Sequence, residues 1–540
     1  MARAVGPAPY AAGVFAAHRR RPGAGALVFV VTAVAAAIAV VAAFDLDGTP
    51  STTTPPIAAP TTTSSPPTTS APITSPTSTT GSTTTTTTTT TTVPPTSVEA
   101  TFRVGEPWGT VPGILMFRGN PTRTWFGSGP LPADPPEVVW RYPDQAMCGE
   151  STVGGETTTW CGTGWTGQPV VWDRPDGVTE VIFGAYDGAV HFVDAQTGAA
   201  TREPFQTGDL VKGSVTLDPD GFPLLYVGSR DNRLRILALD REPVEELWYV
   251  DANLHPGIWN NDWDANPLVV DGRLIAGGEN GFLFVWDLGR GSVQGHVTVV
   301  PRLVAKVPTW NDDLLRATGD RNASVESSPA VWGDIVYVAN SGGRVLGLDL
   351  GAIEGEEVPI VFDFWTGDDT DATLVLDDEG YLYVAVELER RTERAEALGQ
   401  VLKLDPLGRG PEVVWSVAVP ARGPGDGGVW ATPALGNGVL YVPTHPGELL
   451  AIETATGEVV WRDEIGFHAW SSPVIVDDAL LLAVDCELGG GLRTYDLGDP
   501  RAPTPRWDVA LGSGCIESTP AVWDGAIYVG SRDGFLRRWG

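Results

Sequence analysis

The sequence is poor in positive charge, and above all in lysine. It contains 35 lysine and arginine residues against 67 acidic ones, a formal net charge of −32, and its only lysines are Lys212, Lys306 and Lys403. Binding to nucleic acids depends largely on lysine and arginine side chains that neutralise phosphates. So acidic a chain repels phosphate backbones, and we expect no nucleic-acid partner.

Cysteine and histidine are also scarce, with four and six residues in a chain of 540. The sequence has no Cys-Cys pair, no Cys-x-x-Cys-His motif and no His/Cys cluster with metal-ligand spacing. We can place neither a glycine-rich phosphate loop nor a Ser-His-Asp grouping. The usual catalytic residues are therefore few, so the sequence favours a non-catalytic role and predicts no metal site.

One long uncharged run, of twenty residues at 25–44, directly follows Arg19, Arg20 and Arg21. That length is enough for a helix to cross a hydrocarbon core of about 30 Å, and positive residues favour the cytoplasmic side. We therefore predict a cytoplasmic N-terminus at 1–24, a transmembrane helix at 25–44 and an extracytoplasmic remainder. A cleaved signal peptide is the alternative, although its apolar region usually spans only about 7 to 15 residues.

Threonine, proline and serine make up most of residues 45–98. Such a segment has almost nothing to bury and cannot offset the entropy lost on ordering. We predict a disordered linker that holds residues 99–540 away from the membrane.

Residues 99–540 contain an internal repeat. One unit runs from Thr432 to Trp461 and holds four short apolar runs bounded by turn residues, which is typical of four antiparallel strands. Comparable first strands begin at eight places: Gln168-Pro169, Gly213-Ser214, Asn266-Pro267, Ser328-Pro329, Ala372-Thr373, Thr432-Pro433, Ser472-Pro473 and Thr519-Pro520. The repeat predicts an all-β fold, an eight-bladed β-propeller of four-stranded antiparallel blades.

The last unit ends after its third strand, residues 535–539, so its blade lacks one strand. Glu137 to Trp140 reads Glu-Val-Val-Trp, as do the fourth strands that end at Trp415 and Trp461, yet it precedes the first unit. We predict that strand 137–142 completes the last blade and closes the ring, leaving no unpaired edge.

The blade pattern Ala-x-(Asp/Glu)-x-x-Thr-Gly-x-x-x-Trp is clearest from Ala451 to Trp461. It resembles the signature of quinoprotein-like propellers, also called PQQ-like repeat propellers. The segment Phe117-Arg118-Gly119-Asn120-Pro121 is similar to one that often precedes the first strand in exported members. The resemblance covers residues 99–540 and implies the fold, whereas function stays open.

The family includes dehydrogenases that use pyrroloquinoline quinone (PQQ) and cofactor-free propellers such as the outer-membrane-protein assembly lipoprotein. Alcohol-oxidising dehydrogenases of this family commonly place two adjacent cysteines against the quinone. This chain has no such pair, which weighs against the enzymatic alternative.

The long insertions fall in the loops between blades, which emerge on the same face as the turns between second and third strands. Loops on a rigid scaffold commonly carry function, so we expect the site on this long-loop face. The ligand-binding candidates there are Trp259, Asp262, Asp264, Asn266, Glu326, Trp430, His468, Trp470 and Glu517. The tryptophans also suit packing between blades, and nothing in the sequence forces the acids to converge, so we expect no complete quinone site.

The four cysteines allow three pairings, and export favours oxidation. Cys148 and Cys161 lie in one inter-blade loop, whereas Cys486 and Cys515 lie in two loops of the same face. We predict the disulfides Cys148–Cys161 and Cys486–Cys515.

Together these features predict a single-pass membrane protein whose extracytoplasmic propeller is a non-catalytic scaffold, without a cofactor, for a ligand, a protein or a cell-envelope component. The alternative is a quinoprotein oxidoreductase of alcohols or sugars, with Asp262, Asp264 and Glu326 around PQQ and calcium. A structural cell-envelope protein is the third possibility.

Overall fold

The computed structural model describes residues 102–540 apart from 154–155, 165–166, 423–426, 485–489 and 513. The predicted cytoplasmic segment 1–24, transmembrane helix 25–44 and linker 45–98 lie outside the described residues. Within the described part, no helix is long and apolar enough to cross a membrane.

Eight antiparallel blades are present in the described chain, as the repeat predicts. Each begins with a short inner strand directly after one of the eight predicted starts. The inner strands of blades 1 to 8 are Val170–Asp173, Thr216–Leu217, Leu268–Val270, Ala330–Trp332, Val375–Leu376, Ala434–Gly436, Val474–Val476 and Ala521–Trp523. The second strands are Thr179–Gly184, Leu224–Gly228, Arg273–Gly277, Ile335–Ala339, Leu382–Ala385, Val439–Pro443, Ala479–Val484 and Ala526–Gly530.

The outer half of each blade follows the same order. The third strands are Ala189–Asp194, Arg233–Ala238, Phe282–Asp287, Arg344–Asp349, Val401–Leu404, Glu448–Glu453, Gly491–Asp496 and Leu536–Trp539. The fourth strands are Phe205–Gln206, Glu245–Asp251, Arg302–Pro308, Ile360–Trp365, Val413–Val417, Val459–Glu464 and Thr504–Ala510, and blade 8 takes Val138–Tyr142 from the N-terminal side.

A few described elements lie outside this plan. Three two-stranded sheets pair Cys148–Val153 with Glu156–Cys161, Gly291–Val293 with His296–Thr298, and Glu387–Leu388 with Gly427–Gly428. The α-helices are Asp312–Thr318 and Glu393–Leu398, and Ala252–Leu254 is a 3₁₀ turn.

The predicted ring closure is confirmed. Val138–Tyr142 runs antiparallel to Leu536–Trp539, with Tyr142 opposite Leu536 and Val138 opposite Trp539. Trp140 then contacts blade 1, where its Nε1–H donates to the carbonyl of Ala195 at 3.0 Å. An ideal Cβ on Gly198 would lie 2.8 Å from the Trp140 ring. The glycine of the blade signature is therefore required where the tryptophan of the neighbouring blade packs against it.

A ladder of hydroxyl groups joins the inner strands of neighbouring blades. The N–H of Ser328 donates to Oγ1 of Thr373, Thr373 N–H to Thr432, and Thr432 N–H to Oγ of Ser472, each at 3.0 Å. All four residues are buried. The Ser or Thr that precedes an inner strand thus pairs a backbone donor that would otherwise lack a partner in the channel.

The channel itself is filled by residues 113–131, which we call the axial plug. Its first part, Gly113–Ile114, adds a strand to the inner edge of blade 1. Further on, the carbonyls of Pro121 and Thr122 accept the N–H groups of Val331 in blade 4 and Leu376 in blade 5, at 2.9 and 3.2 Å. The plug therefore ties several blades to one segment.

Two fully buried arginines anchor the plug to carbonyls of the prolines at the inner-strand starts. The Arg118 guanidinium donates to the carbonyls of Pro433 at 2.7 Å and Pro473 at 3.0 Å. The Arg123 guanidinium donates to the carbonyl of Pro329 at 2.6 Å. The two arginines thereby supply donors to three proline carbonyls at the inner-strand starts.

Candidate functional site

The repeat geometry builds two rings of side chains on the long-loop face. The first, the loop ring, holds residues two positions before each inner-strand Ser, Thr or Asn: Lys212, Asp264, Glu326, Asp371, Trp430, Trp470 and Glu517. The second, the turn ring, holds the residue two positions after the end of the second strand in every blade except blade 7, where this position lies outside the described residues: Tyr186, Arg230, Glu279, Ser341, Glu387, His445 and Arg532. We call the space that the two rings line the mouth of the channel.

One repeated backbone hydrogen bond fixes the position of the turn ring relative to the loop ring. The N–H of Glu279 donates to the carbonyl of Asp262 at 3.0 Å, and that of Glu387 to Asp369 at 2.8 Å. The N–H of His445 likewise donates to the carbonyl of Gly428 at 3.0 Å. Each turn residue is thereby held beside the loop of its own blade, whatever its side chain.

Blades 3 and 4 bring together a first carboxylate triad, Asp264, Glu279 and Glu326. Carboxylate oxygens of the three residues all lie within 4.8 Å of one another, and all three residues are buried. The ammonium of Lys212 contacts Asp264 and lies 3.7 Å from Oε1 of Glu279. Burial, reinforced by the Glu279 carboxylate, raises the pKa of Glu326.

Blades 4 and 5 form a second triad, Asp369, Asp371 and Glu387, with oxygens again within 4.8 Å and all three residues buried. Hydroxyl groups connect it to the first triad. Ser324 Oγ lies 3.2 Å from Glu326 Oε1 and 2.7 Å from Ser341 Oγ, and Ser341 donates to Asp371 at 2.6 Å. Burial and neighbouring acids raise the pKa of Asp371 and of Glu387 well above the usual range.

Blades 6 and 7 supply an aromatic sector next to the second triad. Trp430 stacks on His445 with ring centroids 4.2 Å apart and on Trp470 at 4.9 Å, and Trp470 stacks on His468 at 4.5 Å. Burial lowers the pKa of His468 to about 4, so this ring is neutral at physiological pH. His468 has a φ of 74°, a left-handed backbone that non-glycine residues adopt uncommonly.

The remaining predicted site residues serve other parts of the structure. Asn266 accepts from Arg123 of the axial plug at 2.9 Å and donates to Thr216 at 2.8 Å. Asp262 accepts from Arg230 at 2.7 Å. Glu517 lies 3.6 Å from Arg532, and Trp259 is half-buried in the loop between blades 2 and 3.

The disulfide Cys148–Cys161 is present as predicted and joins the two strands of one hairpin. Cys515 is also disulfide-bonded. Cys486, its predicted partner, lies outside the described residues.

The structure therefore brings together only part of the predicted set. Asp264 and Glu326 share one triad, and Trp430, His468 and Trp470 form the aromatic sector. Sequence reasoning missed Glu279, the third member of the first triad, and the whole of the second triad, Asp369, Asp371 and Glu387. The signal was the repeat itself, since Asp264, Glu326 and Asp371 occupy the same position in successive units.

Three comparisons place this architecture among known proteins. The sequence model of the family described as outer membrane protein assembly factor BamB matches residues 398–503. No curated protein matches the chain. The crystal structure of quinohemoprotein alcohol dehydrogenase from Comamonas testosteroni is similar with a TM-score of 0.53 and 14% identity, over 79% of this chain and 80% of that one. BamB from Moraxella catarrhalis gives a TM-score of 0.35 and 12% identity, over 75% and 97%.

The resemblance to PQQ-like repeat propellers is confirmed. At 14% identity the likeness to the dehydrogenase is one of fold alone. A PQQ-like propeller is compatible both with an assembly factor and with a quinoprotein, so function depends on the mouth residues of this chain.

Proposed function

We propose that this protein is a membrane-anchored, extracytoplasmic binding propeller whose mouth holds a positively charged group of a ligand or partner protein. The membrane anchor rests on the apolar run at 25–44, and the binding role on the residues around the channel. In this proposal the propeller is a scaffold rather than an enzyme.

The observation that carries the proposal is an excess of buried acid. Seven carboxylates in the loops and turns of blades 3 to 5 are each no more than 5% exposed: Asp262, Asp264, Glu279, Glu326, Asp369, Asp371 and Glu387. The cations beside them are Lys212, Arg230 and Arg390. An uncompensated buried charge costs several kcal/mol even after relaxation. The raised pKa values of Glu326, Asp371 and Glu387 reflect this cost, and a positively charged ligand would stabilise their ionised forms.

The axial plug limits where such a ligand could lie. Arg123 donates to Asn266, only two residues beyond Asp264, so the plug reaches the level of the inner-strand starts. The channel is filled there by the buried Arg118 and Arg123. A ligand would therefore enter from the long-loop face and remain at the mouth.

A quinoprotein oxidoreductase is the second candidate, and one observation favours it. The carboxylates converge beside stacked tryptophans, in a fold that this chain shares with a quinohemoprotein dehydrogenase. PQQ itself carries three carboxylates and would need positive partners here. Lys212, Arg230 and Arg390 each already contact an acid of this chain. The described residues therefore fit this quinone poorly.

Two titrations of the purified full chain test these candidates. Calorimetry with calcium chloride, n-butylammonium and Nα-acetyl-arginine amide should show saturable binding of at least one of them, and none of Nα-acetyl-glutamate. If no cation binds, the proposed function is wrong. Incubation with PQQ and calcium should leave no retained quinone and no dye reduction with alcohols or sugars. Stoichiometric retention with dye reduction, abolished by Asp264→Asn, would instead establish the oxidoreductase.

A further inference from the structure

The two carboxylate triads have nearly the same composition but differ in the positive charge that lies beside them. Each contains buried acids whose oxygens lie within 4.8 Å of one another. The first triad has its cation built in, because the ammonium of Lys212 contacts Asp264 and lies 3.7 Å from Glu279. Lys212 is itself only 4% exposed. The protein thus places an alkylammonium group against two of the three carboxylates of this triad.

The second triad has no lysine among the described residues. Its nearest cation, Arg390, lies 3.4 Å from Asp369 and is shared with Asp320 at 2.9 Å. Asp371 accepts a hydrogen bond from Ser341. Within the described residues, Oδ1 of Asp369 is buried without a hydrogen-bond partner, and the Glu387 side chain, only 5% exposed, makes no described hydrogen bond or ion pair. Burying an unpaired carboxylate is unfavourable, so Glu387 lacks a partner that a ligand could provide.

Aromatic residues follow the short strand that pairs with Glu387. Glu387 pairs with Gly428 in a short sheet, and Trp430 follows two residues later. His445 donates its N–H to the same Gly428 at 3.0 Å. Nε1 of Trp430 and Nδ1 of His445 are buried without a hydrogen-bond partner. Aromatic faces attract ammonium groups and cover the apolar stem that carries them.

We propose that the triad Asp369, Asp371 and Glu387 binds an alkylammonium group, from a free amine or a lysine side chain, with its carbon stem against Trp430 and His445. The inference rests on the proposed function and narrows it. It assigns the ligand class by chemistry that the first triad already displays.

The test compares two carboxylate variants of the full chain. We expect n-butylammonium to raise the melting temperature saturably and to bind at least tenfold more weakly to Glu387→Gln. Glu180→Gln is the matched control, because Glu180 is a fully buried acid in the second strand of blade 1 that pairs with Arg174 and belongs to neither ring. It should bind n-butylammonium like the wild type. Unchanged binding by Glu387→Gln would overturn the inference.

A second variant keeps the test informative if Glu387→Gln folds poorly. Lys212→Ala removes the built-in ammonium, so it should melt at a lower temperature and regain stability in n-butylammonium, with binding stoichiometry rising from one towards two. No recovery would count against the idea that these triads accept ammonium groups.

Two further titrations identify the source of the ammonium group and test whether a metal ion binds in its place. Tighter binding of Nα-acetyl-lysine methylamide than of n-butylammonium would indicate a lysine side chain, and the reverse a free amine. If calcium binds at a site that requires Glu387 and abolishes the rise in melting temperature caused by n-butylammonium, the ligand of this triad is a metal ion. That result would overturn the inference. That result would leave the proposed cation-binding function in place, whereas failure of every cation would remove both.

Discussion

Arg118 is one of the two buried arginines that hold the axial plug in the channel. Its guanidinium donates to the carbonyls of Arg123, Pro433 and Pro473, and none of its surface is exposed. Arg118→Met would keep an apolar stem but leave buried carbonyls without donors, at about 1–3 kcal/mol each. We expect a loss on the order of 3 kcal/mol or more in urea unfolding. Arg316→Met is the control, because Arg316 is 68% exposed and should change stability little.

Glu326 gives a prediction of pH dependence. Burial and Glu279 raise its pKa to about 8 in the folded protein, against about 4.3 in an unfolded chain. The folded state therefore holds this proton more tightly. The stability that it contributes is complete below about pH 4.3 and is lost as the pH rises through about 8. Glutamine at this position cannot ionise.

The melting temperature of the wild type should consequently fall more steeply than that of Glu326→Gln between about pH 4.5 and 8.5. The two neutral histidines of the aromatic sector act in the opposite direction, because their pKa values are lowered. They are present in both proteins, so they cancel in the comparison. Parallel pH profiles from circular dichroism would contradict the prediction.

At the residue scale, composition and spacing identified some residues of the site but not the residues that they contact. Asp264 and Glu326 could be selected because they precede inner strands in an expected loop. Glu279 could not, because the sequence Glu279-Asn280-Gly281 reads equally well as hairpin turn chemistry. Its role follows only from the hydrogen bond that places this turn beside Asp262. Asn266 looked like a ligand but serves the axial plug, whose course no local pattern reveals.

At the scale of elements, the hydroxyl ladder can be tested at Thr432. Its Oγ1 accepts the N–H of Thr373 at 3.0 Å in a buried position. Thr432→Val would remove the acceptor and leave that N–H unpaired, for a loss of about 1–3 kcal/mol. Thr432→Ser retains the oxygen and should lose clearly less. Equal losses for the two variants in denaturant unfolding would mean that the ladder contributes no stability.

Strands were predictable because the repeat sets their order, and the closing strand was predictable because Glu137 to Trp140 copies a fourth strand. The axial plug was not. Residues 113–131 show neither the alternation of a strand nor the periodicity of a helix, so nothing local indicates where they lie. They are positioned by partners far along the chain, such as the carbonyls of Pro433 and Pro473.

At the scale of the whole molecule, ring closure and the plug should make the eight blades unfold together. An open array of repeats has mainly nearest-neighbour contacts and readily loses cooperativity. Here the strand Val138–Tyr142 pairs with the C-terminal strand Leu536–Trp539 in blade 8 and so closes the ring. The plug contacts blades 1, 4, 5, 6 and 7. Loss of one blade would therefore disturb several others. We expect calorimetry of the full chain to show a single transition for the propeller.

Deleting residues 99–145 would remove the plug and the closing strand at once, exposing the edge of Leu536–Trp539 and leaving the proline carbonyls of the channel without donors. The expected result is a melting temperature lower by at least about 10 °C, since losses on the order of several kcal/mol shift a chain of this size by a few degrees each. Deleting residues 49–97, which lie within the predicted linker 45–98, is the matched control and should leave the transition unchanged. If both deletions melt like the full chain, neither the plug nor the closing strand stabilises the ring, because the remaining blades would then hold together without them.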